Sequence, residues 1–252
     1  MINHGTLAEL LFPTRCAACD GYAGQLLCPA CNARLPYIRD PVCRRCGKPA
    51  LYEVEECEQC RGRVRKLDLC RALALYEDPL RAVIHRMKYG GVWRLARPLG
   101  FMAATSLAPY LGEGTLCVTH VPMHPRRRRS RGYDHAELLA RAVAEALGLS
   151  HRALLVRTRH SPTQASSDLS RRRENVRGAF RVAEGSRPPR EVVLVDDVMT
   201  TGYTLSECAA ALKRAGARTV LACVVARDVV GRGTGEKGSA LFSVKNAVPR
   251  CR

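Results

Sequence analysis

The sequence predicts an α/β fold built on a parallel sheet, preceded by a small cysteine-rich domain stapled by metal. Three observations carry this. From about Leu67 onward, short apolar runs that read as buried strands alternate with stretches of helical periodicity. Eight of the thirteen cysteines form four Cys-x-x-Cys pairs, all in the first quarter of the chain. The run from Val192 to Thr204 joins an apolar strand to two adjacent acids, a hydroxyl-rich turn and the start of a helix.

In chain order, residues 1–65 are turn-rich and too short to bury much of a core, so metal would supply their folding energy. Residues 66–230 form the main domain. Leu69, Leu73, Leu75 and Tyr76 predict a strand. Asp78 and Pro79 read as the N-cap and first residue of a helix that runs to about Lys88 and stops at Gly90-Gly91. A second helix is expected over Trp93 to Leu107, and a strand over Leu116 to Val121. Asp134 caps a helix with one apolar stripe (Leu138, Leu139, Ala142, Val143, Ala146, Leu147), closed by Gly148. Ala153 to Val156 reads as a short strand of the same sheet, followed by strands at Val192 to Val195 and Arg218 to Val225, with a helix from Leu205 to Ala215 between these last two. Residues 231–252 read as a loose tail.

No run of about 18 apolar residues is present, so no transmembrane span is expected. The first twelve residues lack the basic start and apolar core of a secretory signal, which points to a cytoplasmic protein with reduced thiols. The formal charge of +18 implies anionic partners such as phosphate, pyrophosphate or nucleic acid, with a plain compositional bias toward arginine as the blander account.

Two Cys-x-x-Cys turns complete a tetrahedral thiolate site. Eight residues separate Cys19 from Cys28 and ten separate Cys46 from Cys57, as in a duplicated zinc knuckle or ribbon. The simplest assignment places one structural zinc on Cys16, Cys19, Cys28 and Cys31, and another on Cys43, Cys46, Cys57 and Cys60. Spacing leaves an interleaved assignment open, and four thiolates also suit an iron–sulfur cluster. Cys70, Cys117, Cys208 and Cys223 read as small core residues, and Cys251 as exposed near the end.

Ligands of parallel α/β sheets sit beyond the carboxyl ends of strands, and N–H groups at a helix start bind anions. A turn of threonines and one glycine suits a monoester phosphate. Asp196 and Asp197 suit vicinal hydroxyls, because a carboxylate accepts two hydrogen bonds side by side. Phosphate beside a diol describes a ribose 5-phosphate. Two basic segments follow strands and so share that rim. Val121 to Asp134 holds five arginines, whose forks match phosphate oxygens. A second, from Arg157 through Phe180, is long enough to serve as a lid.

The run Val192 to Thr204 resembles the phosphoribosyl-pyrophosphate (PRPP) motif of type I phosphoribosyltransferases. Together with the paired knuckles, Met-Lys-Tyr-Gly at Met87 to Gly90, Val-Pro-x-His-Pro-x-Arg with Arg-Gly-Tyr-Asp up to Asp134, Arg-x-Arg-His-x-Pro-x-Gln from Arg157 and Arg-x-x-Asn-Val-x-Gly-Ala-Phe up to Phe180, it is similar to the ComF-type (competence/GntX) group over residues 10–228. His135 departs from the Gln expected there.

The resemblance implies a type I phosphoribosyltransferase-like sheet with helices on both faces behind a zinc ribbon domain. It implies that Val198 belongs to the PRPP-binding set, that Thr200, Thr201, Gly202, Tyr203 and Thr204 hold the 5-phosphate, and that Asp196 and Asp197 bind the ribose hydroxyls. The loop from Pro122 to Arg131 takes the pyrophosphate, and Arg159 to Asn175 close as a lid. Mg²⁺ bound with PRPP bridges pyrophosphate and ribose oxygens. The reaction is displacement of pyrophosphate from the anomeric carbon, with Arg126, Arg128, Arg131 and Mg²⁺ stabilising the leaving charge. No general base is identifiable; His124, His135 and His160 are the candidates. The acceptor and the oligomeric state are not legible. The resemblance also implies a role in natural transformation. The alternative is a competence accessory protein that grips single-stranded DNA and has kept PRPP binding without turnover, although stacking aromatics are few.

Overall fold

The alternating runs form one five-stranded sheet in a computed structural model, which describes residues 13–64, 66–112, 114, 116–159, 174 and 176–229. In order, the elements are α1 (Pro29–Ala33), β1 (Leu69–Leu75), α2 (Leu80–Tyr89), α3 (Ala96–Leu107), β2 (Leu116–His120), α4 (Pro125–Arg131), α5 (His135–Leu147), β3 (Ser150–His151), β4 (Leu155–Arg157), β5 (Phe180–Val182), β6 (Glu191–Met199), α6 (Tyr203–Arg214) and β7 (Thr219–Arg227). The strand order is β1-β7-β6-β2-β3, and every pairing is parallel. Helices cover both faces, as the alternation and the resemblance require.

Strand alternation divides the core. Val193, Val195, Leu221, Cys223 and Val225 pack with α2, α3 and α5. Val192, Leu194, Val220, Ala222 and Val224 pack with α6, the β4–β5 pair, and Cys43, Cys46 and Cys60 of the second knuckle. The second knuckle therefore shares a core with the sheet. The chain between the knuckles covers the free edge of β1: Ile38 N–H donates to Leu73 O (3.0 Å), Leu75 N–H donates to Pro36 O (2.9 Å), and Tyr37 bridges Ala74. That pairing blunts an edge that would otherwise template association.

Several boundaries differ from the sequence reading. Asp78 does not cap α2. The N-cap is Pro79, and the Asp78 carboxylate instead meets Arg81 (2.7 Å). The helix expected from Trp93 opens with a 3-10 turn, Trp93–Leu95. The strand expected at Ala153 to Val156 splits in two. Ser150–His151 joins the parallel sheet, whereas Leu155–Arg157 leaves it and pairs antiparallel with Phe180–Val182. The departure is fixed where Arg152 N–H donates to Val118 O (2.8 Å) and Leu154 N–H to Thr119 Oγ1 (3.2 Å). The arginine loop contains a short helix, α4, started by Pro125 at its first turn. β6 is longer than its apolar run and carries both acids within its ladder to β7. The tail, Cys251 and most of the expected lid, His160 included, lie outside the described residues.

Candidate functional site

From β6 the chain crosses to β7 on one side, and from β2 it crosses to β3 on the other. The segments that follow β6 and β2 therefore diverge, which opens a crevice at a topological switch point. A cavity of about 220 Å³ lies there. Asp196 and Thr204 line it from the β6 side, and residues between Val121 and Ala136, among them Arg127, Arg131 and His135, from the β2 side; Lys88, Tyr89 and Arg157 also line it.

Adjacent strand residues point to opposite faces, and the two acids differ accordingly. Asp196 faces the cavity. Burial, and then the charge of Asp197, push its carboxyl well above the ordinary range. Asp197 is only 4% exposed. Its Oδ1 accepts from Lys88 Nζ (2.9 Å) and its Oδ2 meets His135 Nε2. Burial alone would raise its pKa, but the Lys88 ammonium and His135 outweigh burial and hold it well below the usual carboxylate range. Lys88 is correspondingly held above its ordinary value, since the two aspartates overcome its own burial. On the other ring nitrogen, Arg131 Nη1 lies 2.9 Å from His135 Nδ1. A guanidinium can only donate, so His135 accepts at Nδ1, which leaves Nε2 as the nitrogen that carries the proton beside Asp197 Oδ2. Lys88, Asp197, His135 and Arg131 thus form one continuous chain of contacts along the cavity wall.

The turn after β6 is tight. Thr201 is buried and Thr200 half-buried. Gly202 has φ 79° and serves as the N-cap of α6, with no side chain capping the helix. A Cβ there would lie 2.3 Å from Val64 Cγ1 and 2.5 Å from Met199 Cε, so glycine is required by backbone conformation and by space. Val198 packs against the core on the α2, α3 and α5 side, and Tyr203 against the opposite cluster. Thr204 is the hydroxyl of the turn that lines the cavity.

Helix α4 fans the arginines apart. Arg127 and Arg131 line the cavity, whereas Arg126 and Arg128 do not. Arg128 turns to Glu137 (3.2 Å), and Arg131 lies over the Tyr89 ring, 4.8 Å from its centroid. Burial, then the charge of Arg127, weaken the hold of Arg157 on its proton, as expected of cations gathered where an anion would relieve them. Asp134 staples the segment in place. Its Oδ1 accepts from the N–H groups of Ala136 (3.0 Å) and Glu137 (3.3 Å), and its Oδ2 from that of Met123 (2.9 Å). Within the Pro122 to Arg131 loop the sequence reading named Arg126 and Arg128 rather than Arg127, and it missed Arg157 and Tyr89 as lining residues. Lys88 stood in the Met-Lys-Tyr-Gly segment, but nothing local placed it on Asp197.

The cysteines form two separate quartets, Cys16/Cys19/Cys28/Cys31 and Cys43/Cys46/Cys57/Cys60, with the ligand atoms of each set within 4.8 Å of one another. The pairing is the simple one, not interleaved. Backbone N–H groups point at the sulfurs: Cys28 N donates to Cys16 Sγ (3.4 Å) and Cys57 N to Cys43 Sγ (3.3 Å). Burial opposes the Cys16 thiolate, but the N–H groups of Cys28, Cys19 and Ala18 overcome it and bring its pKa to about 6. Such sets fit a tetrahedral divalent cation of the zinc type. Cys70, Cys117, Cys208 and Cys223 are buried in the core.

A double zinc ribbon domain matches residues 7–61, and a phosphoribosyl transferase domain matches residues 134–245. The first match supports structural zinc as the metal of both quartets. Competence protein F of Haemophilus influenzae is 29% identical over 226 residues, which cover 86% of this chain and 98% of that protein. DNA utilization protein YhgH of Salmonella typhimurium is 30% identical over 202 residues, covering 77% of this chain and 87% of the relative. Among solved structures, orotate phosphoribosyltransferase from Aeropyrum pernix overlaps 59% of this chain and 64% of its own, at 19% identity and a TM-score of 0.32. Among the described residues no helix is long and apolar enough to cross a membrane.

Proposed function

Because the chain belongs to the ComF family, with a double zinc ribbon ahead of a phosphoribosyltransferase domain, we propose that it binds PRPP and displaces its pyrophosphate. The observation that carries this reading is the cavity that sets Asp196 and Thr204 against Arg127, Arg131 and Arg157 at the switch point. The turn at 200–204 takes the 5-phosphate on its backbone N–H groups. Asp196 accepts from the ribose hydroxyls. Asp197, expected at the diol as well, anchors Lys88 and His135 beside it. Arg131 and Arg127 take the pyrophosphate, the role first given to Arg126, Arg128 and Arg131.

In this reading the arginines are fixed before the leaving group develops its charge, so little reorganisation is needed as the anomeric bond breaks. Asp196 holds the sugar in place and faces the positive charge that grows on the ring. Mg²⁺ keeps most of its water and, when bound with PRPP, neutralises pyrophosphate oxygens; one carboxylate facing a polar cavity suits such an ion. The relatives named for competence and DNA utilization support a role in the handling of incoming DNA.

Titration of PRPP with and without Mg²⁺ tests the assignment. Wild type should bind with Mg²⁺, and Asp196→Asn with Asp197→Asn should abolish binding. Wild-type affinity in that double variant would remove the site from this crevice. A screen of acceptors for pyrophosphate release then separates turnover from binding alone.

A further inference from the structure

Arg227, at the end of β7, is 1% exposed, yet its contacts are all to neutral acceptors. Its Nε donates to Cys46 O (2.9 Å) in the second knuckle. Its Nη1 donates to Met199 O (3.1 Å) and Thr200 O (2.8 Å) in the phosphate turn, and to Asp228 O. Its Nη2 faces Gln59 Oε1 (3.4 Å). Among the described residues no carboxylate is within ion-pair distance of it. A buried guanidinium with no counter-charge is costly. The second cysteine quartet, whose Cys46 carbonyl Arg227 contacts, can supply one. Four thiolates around a divalent zinc leave a net negative centre, and Arg227 Nε is already bonded to the backbone of one of those four residues, Cys46.

Resting on the reading above, we infer that Arg227 and the second metal centre act as one positioning unit for the phosphate turn. The thiolate centre neutralises the guanidinium, and the guanidinium fixes the carbonyls of Met199 and Thr200. In a trans peptide the C=O and the following N–H point opposite ways. Drawing the Thr200 oxygen toward Arg227 therefore turns the Thr201 N–H away from it, to the side where a phosphate can receive it. Val64, from the end of the ribbon, supports the same turn by closing on Gly202. Among the described residues the first quartet shows no such link to the turn, and Cys16, Cys28 and Cys31 form a cluster of their own.

The test titrates ribose 5-phosphate and pyrophosphate separately into the full-length zinc-loaded protein, with zinc content and thermal melting measured in parallel. Arg227→Gln should weaken ribose 5-phosphate about tenfold or more, the usual effect of losing a residue that orients a site from behind. Pyrophosphate affinity should stay within about twofold, as for independent sites, and zinc should remain near two per chain. Arg227→Lys, which keeps the charge but loses the fork, should fall between; it carries the test if Arg227→Gln does not melt cooperatively. Cys57→Ser should reproduce the selective loss, and Cys19→Ser should not. Unchanged ribose 5-phosphate binding in Arg227→Gln, a parallel fall in both affinities, or equal effects of the two cysteine variants would each overturn the inference. Failure of wild type to bind ribose 5-phosphate would instead overturn the reading on which it rests.

Discussion

Lys88 on α2 reaches Asp197 on β6 across 2.9 Å, and this ion pair engages the one of two adjacent acids that does not line the cavity. With Lys88 and His135 on it, Asp197 is committed to the cavity wall. Asp196, one residue earlier and on the opposite face, keeps its carboxyl toward the opening.

Lys88→Met should destabilise the protein by about 3 kcal/mol, because removing one partner strands a buried charge. The double variant Lys88→Met with Asp197→Asn should recover much of that loss. Urea denaturation reads both. A single variant as stable as wild type would show that His135 alone satisfies Asp197.

Gly202→Ala meets two obstacles, the positive φ and the approach of Val64. The backbone strain alone is worth about 1–3 kcal/mol. Adding Val64→Ala should return part of the stability by removing Cγ1, though Met199 still crowds the site. If Gly202→Ala melts with wild type and binds ribose 5-phosphate equally well, the turn is looser than its geometry implies.

Asp134→Ala removes the acceptor of three N–H groups, only two of which belong to the helix cap. A lost cap costs about 1 kcal/mol, and the orphaned Met123 N–H adds about as much. Asp134→Asn is the sharper probe. It can keep the cap through its oxygen but sets an amide donor against the Met123 N–H. Faster hydrogen exchange at Met123 and weaker pyrophosphate binding, with α5 intact, are the expected results. Unchanged exchange would detach Asp134 from the arginine segment.

His120 Nδ1 and His151 Nε2 are 3.1 Å apart, close enough to share one proton. Burial, then the charges of His120 and Arg141, pull His151 from its ordinary 6.5 to about 4. Between those values the unfolded chain takes up a proton that the folded protein refuses, so stability is full above pH 6.5 and falls toward pH 4. Thermal melts across that range should decline less steeply for His151→Gln than for wild type. Parallel curves would assign the acid loss to other groups.

Much of this architecture was legible from the chain because local patterning matches it. The valine-rich runs became parallel strands, Asp134 and Gly148 bounded α5, and the eight metal-binding cysteines stood out by Cys-x-x-Cys spacing, though not their division into sets. The misreadings share a cause. Leu155–Arg157 is apolar enough for the main sheet, but hydrogen bonds to Val118 and Thr119 carry the chain off it. Pro125 to Arg131 reads as a charged loop because charge says nothing of helix formation once a proline starts the turn. Asp78 looks like a cap, yet Arg81 claims its carboxylate.

The sequence by itself determined the four Cys-x-x-Cys turns, the strand that ends in paired acids and the glycine that turns after it, since each depends on neighbours within a few residues; which turns share a quartet was left to the fold. Only the tertiary structure decided which acid faces the opening, which arginines of α4 line it, that Lys88 pairs with Asp197 at its wall, and that Arg227 holds the carbonyls of Met199 and Thr200. Those outcomes depend on which distant element is packed against each face of β6, and packing brings together groups that no local pattern pairs.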